Sequence, residues 1–168
     1  GTVYGIGARG LKGNLENAGI KVTEDQARQF IRGFYKGYPK VDKYLNNAQR
    51  QGLENLCIRN AANRYIKFDR PTEEQQEGYI KRQSQNMPIQ SLCADMVKIA
   101  IASLHKTLEP EGVRFINCVH DELVFECKEE QADYVADIVK LEMEKAGSMY
   151  IDKVPVIAEV SISDAWIK

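Results

Sequence analysis

An α+β fold, with helices packed on one face of an antiparallel sheet, follows from three features of the sequence. Val113–Val119 and Glu122–Cys127 are two β-rich runs separated only by His120-Asp121, which is hairpin spacing. Runs of helical period flank them, Leu92–Leu108 before and Glu129–Ala146 after, and Pro155–Ile162 reads as one more strand. The late order of helix, hairpin, helix and strand belongs to the α+β class.

Taken from the start, Leu11–Ala18 predicts a short helix stopped by Gly19. Thr23-Glu24-Asp25-Gln26 has the form of a capping box, in which the threonine caps and Gln26 reaches back. Ala27, Phe30, Ile31, Phe34 and Tyr35 then recur at helical spacing until Gly37. A second helix is predicted over Pro39–Gln51, with Val41, Tyr44, Leu45 and Ala48 inward and Gly52 as its stop. Leu53–Asp69 alternates in short runs, which predicts a small hairpin. A polar helix follows Pro71. At Pro88 it either breaks or gives way to a new helix with the proline in its first turn. In Leu92–Leu108 the expected buried stripe is Leu92, Met96, Ile99, Ala100, Ser103 and Leu104. In Glu129–Ala146 it is Ala132, Val135, Ala136, Val139, Leu141 and Met143.

The chain has 168 residues, 43% hydrophobic and 28% charged, an ordinary globular composition with room for a real core. Its formal net charge of −1 supplies no long-range field for nucleic acid, so any such binding must use a local basic face. Cys57, Cys93, Cys118 and Cys127 form no CxxC pair, and with His105 and His120 they assemble no zinc-ligand spacing. Scattered free cysteines fit a reducing, cytoplasmic setting. No stretch reads as a membrane span or signal peptide. Gly1-Thr2-Val3-Tyr4 begins without methionine inside structured sequence, which reads as a cut from a longer protein.

Chemistry concentrates in His120-Asp121-Glu122 at the hairpin tip. Adjacent carboxylates raise each other's proton affinity unless a cation relieves them, and Mg2+ takes oxygen ligands. A solvated polar turn fits the tripeptide equally well. A metal phosphohydrolase built on the His-Asp pair fails for want of further histidines. Upstream, Lys81-Arg82-Gln83-Ser84-Gln85-Asn86-Met87-Pro88-Ile89-Gln90 combines phosphate-binding cations with amides suited to base edges, although an exposed helix end has the same composition. Gly5, Gly7 and Gly10 satisfy GxGxxG, but no strand–helix–strand unit surrounds them, so tight turns explain them better. Arg28, Arg32 and Lys36 make a basic ridge that reads as a solvated helix face.

In order along the chain, Tyr-Gly followed by small residues, Asn-Met-Pro-Ile-Gln (86–90), Val-His-Asp-Glu-Leu-Val (119–124) and the closing Val160-Ser161-Ile162-Ser163-Asp164-Ala165-Trp166 resemble the C-terminal half of family A DNA polymerases. The resemblance extends over the whole chain. It implies the C-terminal part of the helical fingers subdomain over 1–52 and a palm portion over 53–168, with a palm-type sheet carrying the His-Asp hairpin. It also implies template-directed addition of deoxynucleotides to a primer 3′-hydroxyl through two Mg2+ ions. By the same resemblance Asp121 is a metal ligand, Glu122 a supporting carboxylate, and His120 a neighbour of the primer terminus. Asn86 and Gln90 touch the primer–template minor groove, Arg82 and Arg64 contact DNA, and Tyr4 and Gly5 lie by the templating base.

The family's second metal aspartate and its triphosphate-gripping residues belong to sequence before Tyr4. The chain by itself is therefore expected to be inactive, with an incomplete Mg2+ site. Expected partners are primer–template DNA and deoxynucleoside triphosphates, no membrane, and further copies of the chain through apolar surface exposed at the cut. Two alternatives stand beside this reading: a single-subunit RNA polymerase palm and a non-catalytic DNA-binding module.

Overall fold

The computed structural model describes residues 2–166. The chain folds as two compact units, one ending at Ile89 and the other beginning at Gln90, and the boundary falls inside one long helix.

The first unit opens with a 3-10 turn over Thr2–Tyr4, followed by α1 (Ala8–Asn17), α2 (Glu24–Gly37), α3 (Pro39–Asn55), β1 (Cys57–Arg59), β2 (Tyr65–Lys67) and the first part of α4 (Glu74–Leu108). The capping box forms: Gln26 N–H donates to Thr23 Oγ1 at 3.2 Å, and Thr23 N–H donates to Gln26 Oε1 at 2.8 Å. Two orphan donors at the start of α2 are thereby satisfied, worth about 1 kcal/mol. Arg28 of the basic ridge is held by Glu24 and Asp25 on the same helix. β1 and β2 pair antiparallel, with Ile58 opposite Ile66. Ala27, Leu45, Ala48, Ile58 and Ile80 are the buried apolar residues.

α3 does not stop at Gly52 as expected but continues to Asn55 and ends on Leu56 in the left-handed conformation. Gly52 is buried within it, and a β-carbon there would lie 1.8 Å from Ser84 Oγ. The glycine is a packing residue, absent of side chain so that α4 can approach. α4 likewise runs through Pro88 instead of breaking. An interior proline removes a helical hydrogen bond and costs about 3 kcal/mol in isolation. Here the turn before it is held by α3, because Tyr44 Oη donates to the Gln85 carbonyl at 3.4 Å and Ser84 nests on Gly52.

The second unit contains the rest of α4, a 3-10 turn (Glu109–Glu111), β3 (Arg114–Val119), β4 (Glu122–Glu126), a 3-10 turn (Glu129–Gln131) and α5 (Ala132–Ser148). Its core joins Ala100, Leu104 and Leu108 of α4 to Val113 and to Val135, Val139 and Ala146 of α5. Leu123, Phe125 and Cys127 of the hairpin pack against it. Leu104 has no exposed surface. Leu141, expected inward, is 61% exposed because the buried stripe of α5 passes through Val135, Val139 and Ala146 instead. Ser103 Oγ donates to Glu142, tying α4 to α5.

Two expectations are corrected in this unit. Among the described residues no strand forms over 155–162, and the sheets are two separate two-stranded ribbons. The segment lacks a neighbouring strand and runs as a strap on α5: Val156 fills the space a Gly147 side chain would need, and Ala158 N–H donates to Glu144 Oε1 at 3.0 Å. In addition, Glu74–Glu111 is long enough and, at a mean hydropathy of 1.3 over its most apolar window, apolar enough to cross a membrane by length and composition. Of that window 17% is buried within the protein, and Ala100, Leu104 and Leu108 of the helix belong to the core.

Candidate functional site

The hairpin tip is built by register. Val119 pairs with Glu122, so His120 and Asp121 are the whole loop. A two-residue loop of this kind needs positive φ, and His120 supplies it at +58°. Histidine is among the few non-glycine residues that visit this region with any frequency. Asp121 and Glu122 are therefore adjacent, solvent-exposed carboxylates on a turn anchored at its base by Leu123 and Phe125. Phe115 packs on Phe125 with ring centroids 5.3 Å apart, directly opposite it in the ladder.

Ile116 was not anticipated in its role. The register skips between Phe115 and Asn117, which leaves Ile116 as a bulge. A bulge adds twist and reverses the alternation beyond it, so it sets which way the residues leading to the tip face.

Glu122 has a partner that nothing local in the sequence announces. Trp166 Nε1–H donates to Glu122 Oε1 at 2.7 Å. Just before Trp166 a turn is closed by Ser163 Oγ donating to the Ala165 carbonyl at 2.6 Å.

Arg82, Asn86 and Gln90 are spaced four apart along α4, with Arg82 and Gln90 exposed and Asn86 half-buried. Tyr4 is exposed and Gly5 has φ +78°, its N–H closing the 3-10 turn on the Thr2 carbonyl at 3.1 Å. Tyr35 Oη donates to that carbonyl at 3.2 Å, and burial together with Asp42 pushes the Tyr35 hydroxyl above its ordinary value of 10.0. Gln85, not singled out from sequence, lies under this turn: a β-carbon at Gly5 would meet its Oε1 at 3.1 Å. Arg64 is exposed at the β1–β2 loop, where its N–H donates to Asn60 Oδ1 at 2.9 Å. An open cleft of about 780 Å³ in the first unit includes Lys67, Arg70, Thr72 and Gln76.

Among the described residues no group of three or more His, Cys, Asp or Glu side chains gathers as a metal site. The donor set at the tip is two carboxylates, which suits a hard divalent cation but supplies only part of its coordination.

The sequence pattern that defines DNA polymerase family A matches residues 1–168. The chain belongs to that family. Its relatives include DNA polymerase I of Caldicellulosiruptor bescii, 36% identical over 99% of this chain. The thermostable DNA polymerase I of Thermus aquaticus is 33% identical, also over 99%. The chain spans 19% of the length of each, so it corresponds to one part of a family A polymerase. Among solved structures, the POL domain of Pol1 from M. smegmatis, in complex with DNA primer-template and dNTP, superposes with a TM-score of 0.77. It covers 86% of this chain and 25% of that one, at 24% identity, and shares the fold.

Proposed function

We propose that this chain carries the hairpin half of the catalytic centre of a template-directed DNA polymerase, together with part of its primer–template surface. The observation that carries the reading is the pair of exposed carboxylates, Asp121 and Glu122, at a rigidly based two-residue turn in a family A chain. Bound divalent cations would neutralise the triphosphate and favour ionisation of the primer 3′-hydroxyl. Asp121 is the direct cation ligand, Glu122 supports it, and His120, raised on the same turn, contacts the primer terminus. Asn86 and Gln90 hydrogen-bond base edges in the minor groove, where acceptors vary little with sequence. Arg82 and Arg64 contact backbone phosphates, which fixes register without reading sequence. Tyr4, on a turn held from behind by Tyr35 and Gln85, lies against the templating base beside Gly5.

In this reading 1–52 belongs to the fingers, 53–168 to the palm, and the working enzyme is cytoplasmic. The DNA-bound state of the M. smegmatis domain supports primer–template and deoxynucleotide as partners. Family membership favours DNA over RNA synthesis. With one candidate aspartate and, among the described residues, no gathered cluster of metal-binding side chains, the chain alone should not extend a primer.

The test is a primer-extension assay with Mg2+ and deoxynucleotides. The chain alone is expected to give no product, and the longer polymerase containing it is expected to lose at least about 10³-fold in rate with Asp121→Asn. Full activity of that variant overturns the assignment, and extension by the chain alone overturns its dependence on further sequence. Tight duplex binding by the chain alone, indifferent to Mg2+, points instead to a DNA-binding module.

A further inference from the structure

The geometry points to Trp166 as the residue that positions Glu122. The inference rests on the reading of Asp121 and Glu122 as part of the transfer centre, and goes beyond it by giving the C-terminal strap a task. Four contacts make the case. The strap is fixed to α5 where Val156 fills the site of the missing Gly147 side chain and where Ala158 N–H donates to Glu144. Its last described turn is closed by Ser163 on Ala165. From that turn the indole N–H reaches 44 residues back to Glu122 Oε1 at 2.7 Å.

A glutamate on an exposed turn otherwise samples many rotamers. One donor on Oε1 selects among them and leaves Oε2 without a competing bond from Trp166, available to act beside Asp121. An indole suits the task because it donates but never accepts, so it cannot itself ligate a cation. The strap, absent as a strand from the sheet, thus acts as an arm that carries this donor from α5 to the hairpin.

Trp166 is the sole tryptophan, so its indole N–H gives one resolved NMR signal in the intact chain. Glu122→Ala is expected to move that signal upfield, whereas Glu122→Gln, which keeps an acceptor oxygen, holds it near its original position. Trp166→Phe, which keeps an aromatic ring but removes the donor, is expected to merge the two distinct Glu122 γ-proton shifts as the side chain gains rotamers. Circular dichroism identical to the parent certifies that each variant folds. An indole signal unmoved by Glu122→Ala, or Glu122 γ-protons unmoved by Trp166→Phe, overturns the inference. Mn2+ added to the same samples separates the two readings. Broadening of the Asp121 amide and Trp166 indole that Asp121→Ala abolishes supports both. Shifts as expected without any broadening of Asp121 support Trp166 as the residue that orients Glu122 and show that two carboxylates do not hold the cation by themselves.

Discussion

At the scale of single residues, two positions depend on backbone or space that ordinary side chains cannot share. Gly52 lies inside α3, where exchanging glycine for alanine in open surroundings favours a helix by about 1 kcal/mol. Here the added β-carbon would overlap Ser84 Oγ at 1.8 Å and Ser84 Cβ at 2.8 Å. Overpacking of that severity costs about 1–3 kcal/mol or more, so the clash outweighs the propensity. Gly52→Ala is expected to lower the urea midpoint, and Ser84→Gly in the same chain to recover part of the loss. Simple additivity of the two changes would count against the packing argument. Ser84→Ala alone should be neutral or mildly stabilising, since that hydroxyl is buried without a hydrogen-bond partner. At the tip, His120 holds φ at +58°, which a β-branched side chain resists. His120→Val should destabilise the hairpin while His120→Gly is tolerated, which thermal unfolding of the two variants compares directly. Equal melting temperatures would remove backbone strain from the account of this turn.

At the scale of elements, what the sequence revealed was local. The Thr23 capping box, the helical stripe through Leu45 and Ala48, and the two-residue spacing around His120-Asp121 are each written within a few residues, and each formed. Gly52 and Pro88 misled because their usual effect on a helix was overruled by α3–α4 packing. That packing is a contact between residues more than thirty apart in sequence. Residues 155–162 alternate like a strand but have no strand to pair with, and the Trp166–Glu122 bond unites positions no window contains. The Ser103–Glu142 link between α4 and α5 is of the same long-range kind and can be tested by pH. Hydrogen bonding from Ser103 first, and Lys145 after it, holds the Glu142 carboxyl below its ordinary value of 4.5 although burial opposes them. The folded state thus binds this proton less readily than the unfolded chain. Its stabilisation is complete above the unfolded value and disappears as pH falls through the folded one. Ser103→Ala should therefore lower the unfolding midpoint at neutral pH, and the gap from the parent should narrow below the carboxylate range. A gap that stays constant with pH would assign the effect to packing alone.

At the scale of the whole molecule, the balance of surface and charge governs behaviour in solution. The C-terminal strap leaves Val154 65% and Ile157 71% exposed, and Ile162, Leu141 and Met149 are each more than half exposed. Exposed apolar surface, where it is contiguous, favours association. This chain spans 19% of the length of the relatives named above. When the chain is alone, the same surface faces water, and a net charge of −1 gives copies of it almost no mutual repulsion. Reversible self-association is expected in sedimentation equilibrium as concentration rises. It should weaken with Ile157→Lys and Val154→Asp together, which place charges on the most exposed apolar positions of the strap without touching Val156 or Ala158. Burial at about 25 cal/mol per Å² drives such contacts, so added salt should strengthen the association and not dissolve it. A chain that stays monomeric at every concentration, or an association that salt disperses, would overturn apolar contact between copies.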